Sequence, residues 1–144
     1  MPRKAVISAP ISVAGKTYEV TCVNVGNPHC VVFSKLVDKE PLDEIGPLFE
    51  NHEMFPEKTN TEFVRVVGPN ELKMRTWERG NGETPACGTG ACAAAVAAVI
   101  NGYCAMNQVI TVKLRGGNLL VRYTGNTVLL TGNTKMCYKG KVEI

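Results

Sequence analysis

The sequence predicts an α+β fold in which a curved mixed or antiparallel sheet, a barrel-like roll, wraps around a central small-residue helix. Three observations predict it. Alternating or β-branched stretches recur along the chain, the run Ala91 to Ile100 is almost wholly alanine, valine and isoleucine, and glycine-bearing turns separate the pieces. A length of 144 residues with 44% hydrophobic content suits one domain, 1–144, with one continuous core.

The strands come first. Tyr18, Val20 and Cys22 alternate with Thr17, Glu19 and Thr21, the period of a strand with one buried face. After the turn Val25-Gly26-Asn27-Pro28, His29 to Phe33 is short, apolar and β-branched, as a strand buried on both faces is. Asp43 to Asn51 reads as a short helix entered through Pro41 and stopped before Pro56. Thr61–Val67 and Glu71–Trp77 form a hairpin about Gly68-Pro69-Asn70. The alanine-rich helix ends at Asn101-Gly102, and short strands follow at Val109–Leu114, Asn118–Tyr123 and Thr127–Leu130. A last alternating stretch, Lys135 to Ile144, reads as a terminal strand.

Composition removes several functions. The formal charge is +3 and no Lys/Arg run is interleaved with aromatics, so no nucleic-acid partner is expected. The first residues lack the apolar core of a signal peptide, and Ala91 to Ile100 is too short to cross a bilayer, so a cytoplasmic protein without membrane contact is expected. Six cysteines, Cys22, Cys30, Cys87, Cys92, Cys104 and Cys137, come with no secretory context and read as free thiols. No Cys-x-x-Cys pair occurs, and Cys87 and Cys92 would leave a helix on different sides, so no metal is expected.

Chemistry concentrates between Arg75 and Ala91. A strand delivers Glu78 and Arg79 to a loop containing Gly80 and Gly82, and the chain enters the helix at or near Cys87, with Gly88 and Gly90 allowing close approach of a ligand. The first helical amides lack internal partners and suit a carboxylate. The positive helix end also favours thiolate, which makes Cys87 the most acidic of the six thiols on this argument. Plainer readings stand beside these: Cys87 as a packed small residue, Asn27 and Asn60 as turn residues, His29 as a core histidine, Glu78 and Arg79 as a surface pair.

Thr76-Trp77-Glu78-Arg79-Gly80, Gly82-Glu83-Thr84 and Ala86-Cys87-Gly88-Thr89-Gly90-Ala91 together resemble the second-cysteine signature of diaminopimelate epimerases. Gly26-Asn27-Pro28-His29 and Thr59-Asn60-Thr61-Glu62-Phe63-Val64 sit where that resemblance expects them. It implies one half of a two-domain, pseudo-symmetric epimerase fold without cofactor, with diaminopimelate as substrate. Cys87 would then be one of two acid/base thiols facing opposite sides of the α-carbon, assisted by His29 and Glu78. Gly88 and Thr89 amides would hold the α-carboxylate, Arg79 the distal carboxylate, Asn27 and Asn60 the distal amino-acid group, and Glu78 would lie beside substrate and thiol.

The family's other cysteine lies in a Cys-Gly-Asn-Gly context that does not occur here, and the chain is about half the family length. The resemblance therefore implies a carboxyl-terminal half lacking its amino-terminal domain, with the 135–144 strand returning to that domain, and no epimerisation by the chain alone. A homodimer is left open. Two rivals are kept: another isomerase of the same architecture, proline racemase-like or phenazine-biosynthesis-like, and a non-catalytic carboxylate-binding domain with an idle thiol.

Overall fold

The computed structural model describes residues 5–144. Its strands are β1 (Ala9–Val13), β2 (Lys16–Asn24), β3 (Pro28–Phe33), β4 (Asn60–Gly68), β5 (Glu71–Glu78), β6 (Gly82–Thr84), β7 (Val109–Leu114), β8 (Gly117–Tyr123) and β9 (Val128–Thr131). The helices are α1 (Leu42–Glu50) and α2 (Gly88–Ile100), with a single 3-10 turn at Val37–Lys39. Among the described residues no helix is long and apolar enough to cross a membrane.

The strands form one mixed sheet in the order β1-β2-β3-β4-β5-β7-β8-β9, with β6 paired to β5 off that path. The β3–β4 and β5–β7 pairs are parallel and the rest antiparallel. Parallel neighbours need a crossover rather than a tight turn. The segment bearing α1 makes the first and the segment bearing β6 and α2 the second.

The helices serve two apolar clusters. Val31, Val64, Leu72, Met74, Ile110, Val112 and Val121 pack with α2, whereas Cys30, Val32 and Phe63 pack with Leu42, Ile45 and Phe49 of α1. Adjacent residues of β3 and β4 thus point to opposite helices. A strand covered on both faces has no place for the polar half of an alternating pattern, so β3 is apolar from Cys30 to Phe33, with the polar His29 at its amino end. Six alanines of α2, Ala91, Ala93, Ala94, Ala95, Ala97 and Ala98, are fully buried because β2, β3, β4, β5, β7, β8 and β9 all approach the helix. Larger side chains would hold the backbones apart.

One expectation is corrected here. The sheet does curve about α2 but is not a closed barrel: β1 pairs only with β2 and β9 only with β8, leaving two edges. The helix fills the concave side that closure would fill with inward side chains. The stretch 135–144, read as a strand whose partner lies in another domain, is unpaired and exposed, and residues 132–144 have no regular structure. An alternating pattern supplies a face but not a partner, and among the described residues no strand lies beside this stretch to accept its backbone hydrogen bonds.

Candidate active site

The sheet register assembles the site. His29 lies opposite Asn60 in the parallel β3–β4 pair, and Thr76 lies opposite Glu62 in the antiparallel β4–β5 pair. The amino ends of β3 and β4 therefore meet the carboxyl end of β5, and α2 begins over that junction.

Two buried ion-bearing groups fix the loop between β5 and α2. Glu50, at the end of α1, accepts hydrogen bonds from Trp77 Nε1 at 2.9 Å and Gly80 N at 2.9 Å. Arg75 forks onto Glu83 at 2.8 and 3.0 Å while Nη1 donates to the carbonyls of Val37 and Glu40. Such bidentate geometry leaves little rotational freedom. Gly46 completes the anchor, because a Cβ there would lie 2.3 Å from the Trp77 ring.

Cys87 is the N-cap of α2, with extended backbone at φ −141° and ψ 111°, and its Sγ accepts the Gly90 N–H at 3.3 Å. Among the described residues no partner receives the Gly88 or Thr89 N–H. These are the orphan donors expected at a helix start. A half-buried thiol and two free amides thus share one helix terminus.

From that terminus a chain of polar contacts runs inward. Thr89 Oγ1 lies 3.7 Å from Cys87 Sγ and accepts from Asn27 Nδ2 at 3.3 Å. Asn27 Oδ1 faces His29 Nε2 at 3.0 Å, and His29 Nδ1 faces Glu62 Oε1 at 2.8 Å. An amide cannot pass a proton from one end to the other, so the Asn27 link fixes orientation rather than conducting charge. His29 and Glu62 are both fully buried, and Glu62 Oε2 has no hydrogen-bond partner.

The remaining residues divide. Glu78 Oε1 accepts from the Thr84 hydroxyl, and its charge reaches both Glu62 and Cys87. Asn60 uses both ends of its amide on the backbone, accepting from Arg79 N and donating to Pro28 O, each at 2.9 Å. The Arg79 guanidinium is exposed and donates to the Glu57 carbonyl at 3.1 Å. The register therefore gathers Cys87, Gly88, Thr89, Asn27, His29 and Glu78 closely, Asn60 acts as a brace beneath them, and Arg79 turns to the rim. A cavity of about 410 Å³ lined by Phe33, Lys35, Arg65, Val66 and Tyr103 shares no residue with this cluster.

The expectation that Cys87 is the most acidic thiol is reversed. Burial pushes its pKa up, and the carboxylates of Glu62 and Glu78 push the same way; the Gly90 amide and Thr89 pull it down without winning. Helix-terminus donors and a nearby Glu78 were expected from the motif, whereas the approach of Glu62 and the desolvation arise only on folding. Glu62 itself was missed as a site residue. Its signal was a lone acid inside the Asn60–Val64 run, where every neighbour is buried, and its pKa is raised chiefly by burial against the pull of His29.

Comparison with known proteins places this arrangement. The diaminopimelate epimerase family model matches residues 21–137. The diaminopimelate epimerase of Synechocystis sp. is 50% identical over 141 residues, covering 96% of this chain and 50% of that protein. That of Nostoc punctiforme is 51% identical over 139 residues, covering 95% of this chain and 49% of that protein. The chain thus spans about half the length of the curated relatives it matches. Among solved structures, a Bacillus anthracis phenazine biosynthesis protein of the PhzF family superposes with TM-score 0.52 at 20% identity, over 73% of this chain and 34% of that one. A putative phenazine biosynthesis protein from Clostridium difficile does so with TM-score 0.52 at 24% identity, over 77% and 41%. These two speak for the fold alone. With the family model spanning most of the chain and Cys87 standing in its motif at a helix start, the chain belongs to the diaminopimelate epimerase family.

Proposed function

We propose that this chain supplies one of the two thiols of a cofactor-independent epimerase that interconverts LL- and meso-diaminopimelate in lysine biosynthesis. The observation that carries the reading is the meeting, at the start of α2, of the Cys87 thiol with two unpartnered amides. Removing an α-proton leaves a carbanion whose charge spreads onto the carboxylate. Gly88 and Thr89 N–H groups aimed at that carboxylate stabilise charge as it develops, without reorganising.

In this reading Cys87 accepts or returns the proton on one face of the α-carbon, and a thiol on an amino-terminal domain serves the other face. Glu78 lies close enough to bias the ionisation of Cys87. His29 and Asn27 hold Thr89 and the thiol in place, Asn60 braces the loop that bears Arg79, and Arg79 meets the distal carboxylate with its fork. Those residue roles rest on family membership together with the hydrogen-bond geometry above.

A second reading, a carboxylate-binding domain with an idle thiol, is favoured by one observation: the Cys87 pKa is raised rather than lowered. Deuterium exchange separates the two. The chain is incubated with LL-diaminopimelate in deuterated water, alone and after addition of a separately expressed amino-terminal half. Epimerisation only on mixing, abolished by Cys87→Ala, is expected. Conversion by this chain alone would overturn the half-site reading, and carboxylate binding that never yields exchange on mixing would establish the binding domain.

A further inference from the structure

Cys22 and Cys30 occupy directly opposite positions of the antiparallel β2–β3 pair. Two hydrogen bonds identify the kind of pair. Val25 N–H donates to Asn27 O across this hairpin, so odd-numbered residues of β2 carry the bonds to β3, while Cys22 N–H turns the other way and donates to Val6 O at 3.0 Å. Cys22 and Cys30 are therefore a non-hydrogen-bonded pair, the kind in which opposite Cα atoms come within about 4.5 Å and side chains approach most closely. That separation falls within the roughly 4.4–6.8 Å span a disulfide bridges.

The two thiols differ in access. Cys30 is fully buried beside Val32 and Phe63, and Cys22 is half-buried at the margin of the same cluster. Among the described residues no other free cysteine faces a second one across a strand pair. We propose that Cys22 and Cys30 form a reversible intramolecular disulfide with hydrogen peroxide as oxidant, Cys22 being the entry thiol and Cys30 the resolving one.

The steps balance. The Cys22 sulfur attacks one peroxide oxygen, the O–O bond breaks, and hydroxide leaves to become water with the Cys22 proton. The Cys30 sulfur then attacks the Cys22 sulfenic sulfur, an S–S bond forms, the S–O bond breaks, and the hydroxyl leaves as water with the Cys30 proton. Two thiols lose two electrons and one peroxide becomes two waters. The division of labour follows from access and from the pair's electrostatics, since the neighbouring Cys30 thiol draws the Cys22 pKa down while Cys22 and burial push Cys30 up. A more acidic thiol in reach of solvent is the one oxidised first. Because Cys30 adjoins His29, the bridge locks the strand that carries the buried end of the active-site contacts.

The folded chain is treated with stoichiometric peroxide, quenched, denatured, alkylated and digested with trypsin. Both cysteines lie between Lys16 and Lys35 and share one peptide. The expected result is a peptide lighter by two hydrogens that takes no alkyl group until reduced, with alkylatable thiols falling from six to four. Cys22→Ser leaves Cys30 reduced, and Cys30→Ala leaves Cys22 as sulfenic acid trapped by dimedone. The proposal is overturned if the peptide stays doubly alkylated while other cysteines oxidise, or if either cysteine is found bridged elsewhere. It is overturned equally if Cys22→Ser does not protect Cys30.

Discussion

Gly90→Ala isolates the packing that brings thiol and buried acid together. Gly90 is the third residue of α2 and its φ is ordinary for a helix, so intrinsic propensity alone would make alanine better by about 1 kcal/mol. The surroundings oppose it. A Cβ at this position would lie 2.7 Å from Glu62 Oε1 and 3.1 Å from Cys87 Sγ. Glu62 cannot swing away, because it is fully buried and held by His29 at 2.8 Å and by Thr76 Oγ1 at 3.3 Å. Overpacking of this kind costs about 1–3 kcal/mol, so the variant should be less stable by up to about 2 kcal/mol after the propensity gain. Urea unfolding measures that change. The displaced Sγ also loses the Gly90 N–H, so iodoacetamide should alkylate Cys87 more slowly at a fixed pH near neutrality. A gain of about 1 kcal/mol, the bare helix propensity, would refute the close approach.

Glu50→Gln leaves one acceptor oxygen for two donors, Trp77 Nε1 and Gly80 N, and should cost about 1–3 kcal/mol by urea unfolding; an unchanged midpoint would remove Glu50 from the loop anchor. Glu78→Gln removes a charge that raises the Cys87 pKa, so the pH profile of Cys87 alkylation should move to lower pH, and an unmoved profile would place Glu78 too far away to matter. Glu62 has a raised pKa, so its contribution to stability is fully present below the ordinary glutamate value of about 4.3 and is lost as pH rises through the folded value. Glu62→Gln should therefore flatten that fall in the unfolding midpoint, and an identical pH profile in the variant would contradict it.

The sequence made β2, β3, β4, β5, β7 and β8 legible because each carries its own apolar period within a few residues. It did not reveal β1, whose five residues include Pro10, or β6, whose three residues are strand only through pairing with β5. The start of α2 was legible at Cys87, where the helix was expected to begin, although Gly88-Thr89-Gly90 has the composition of a loop and helical order is imposed there by the Cys87 cap. The tail was expected to lack its partner, and it is unpaired here. Its alternation is plain, but pairing is a property of neighbours and none is present.

At the site, the residues attached to the glycine frame were legible and the ones beneath them were not. Cys87, Gly88 and Thr89 announce themselves by adjacency to a helix start. The contact from His29 to Glu62 spans 33 positions and exists because β3 and β4 run parallel in one register, which no local pattern records. The same limit explains the misjudged thiol. Counting donors at a helix terminus gives only the terms that favour thiolate, and here desolvation with two carboxylates outweighs them. That balance also bears on the proposed chemistry. Epimerisation asks each thiol to hold a proton in one direction and release it in the other, so a thiol that stays protonated until substrate arrives is suited to act as the acid. Acting as the base then requires the local field to change. The two free amides make such a change available only indirectly, because a carboxylate bound to them brings further negative charge close to Sγ and favours the thiol form still more. Within the proposed two-thiol reaction, the raised Cys87 pKa favours this thiol as the proton donor, with the thiolate on the opposite face opening the reaction in that direction.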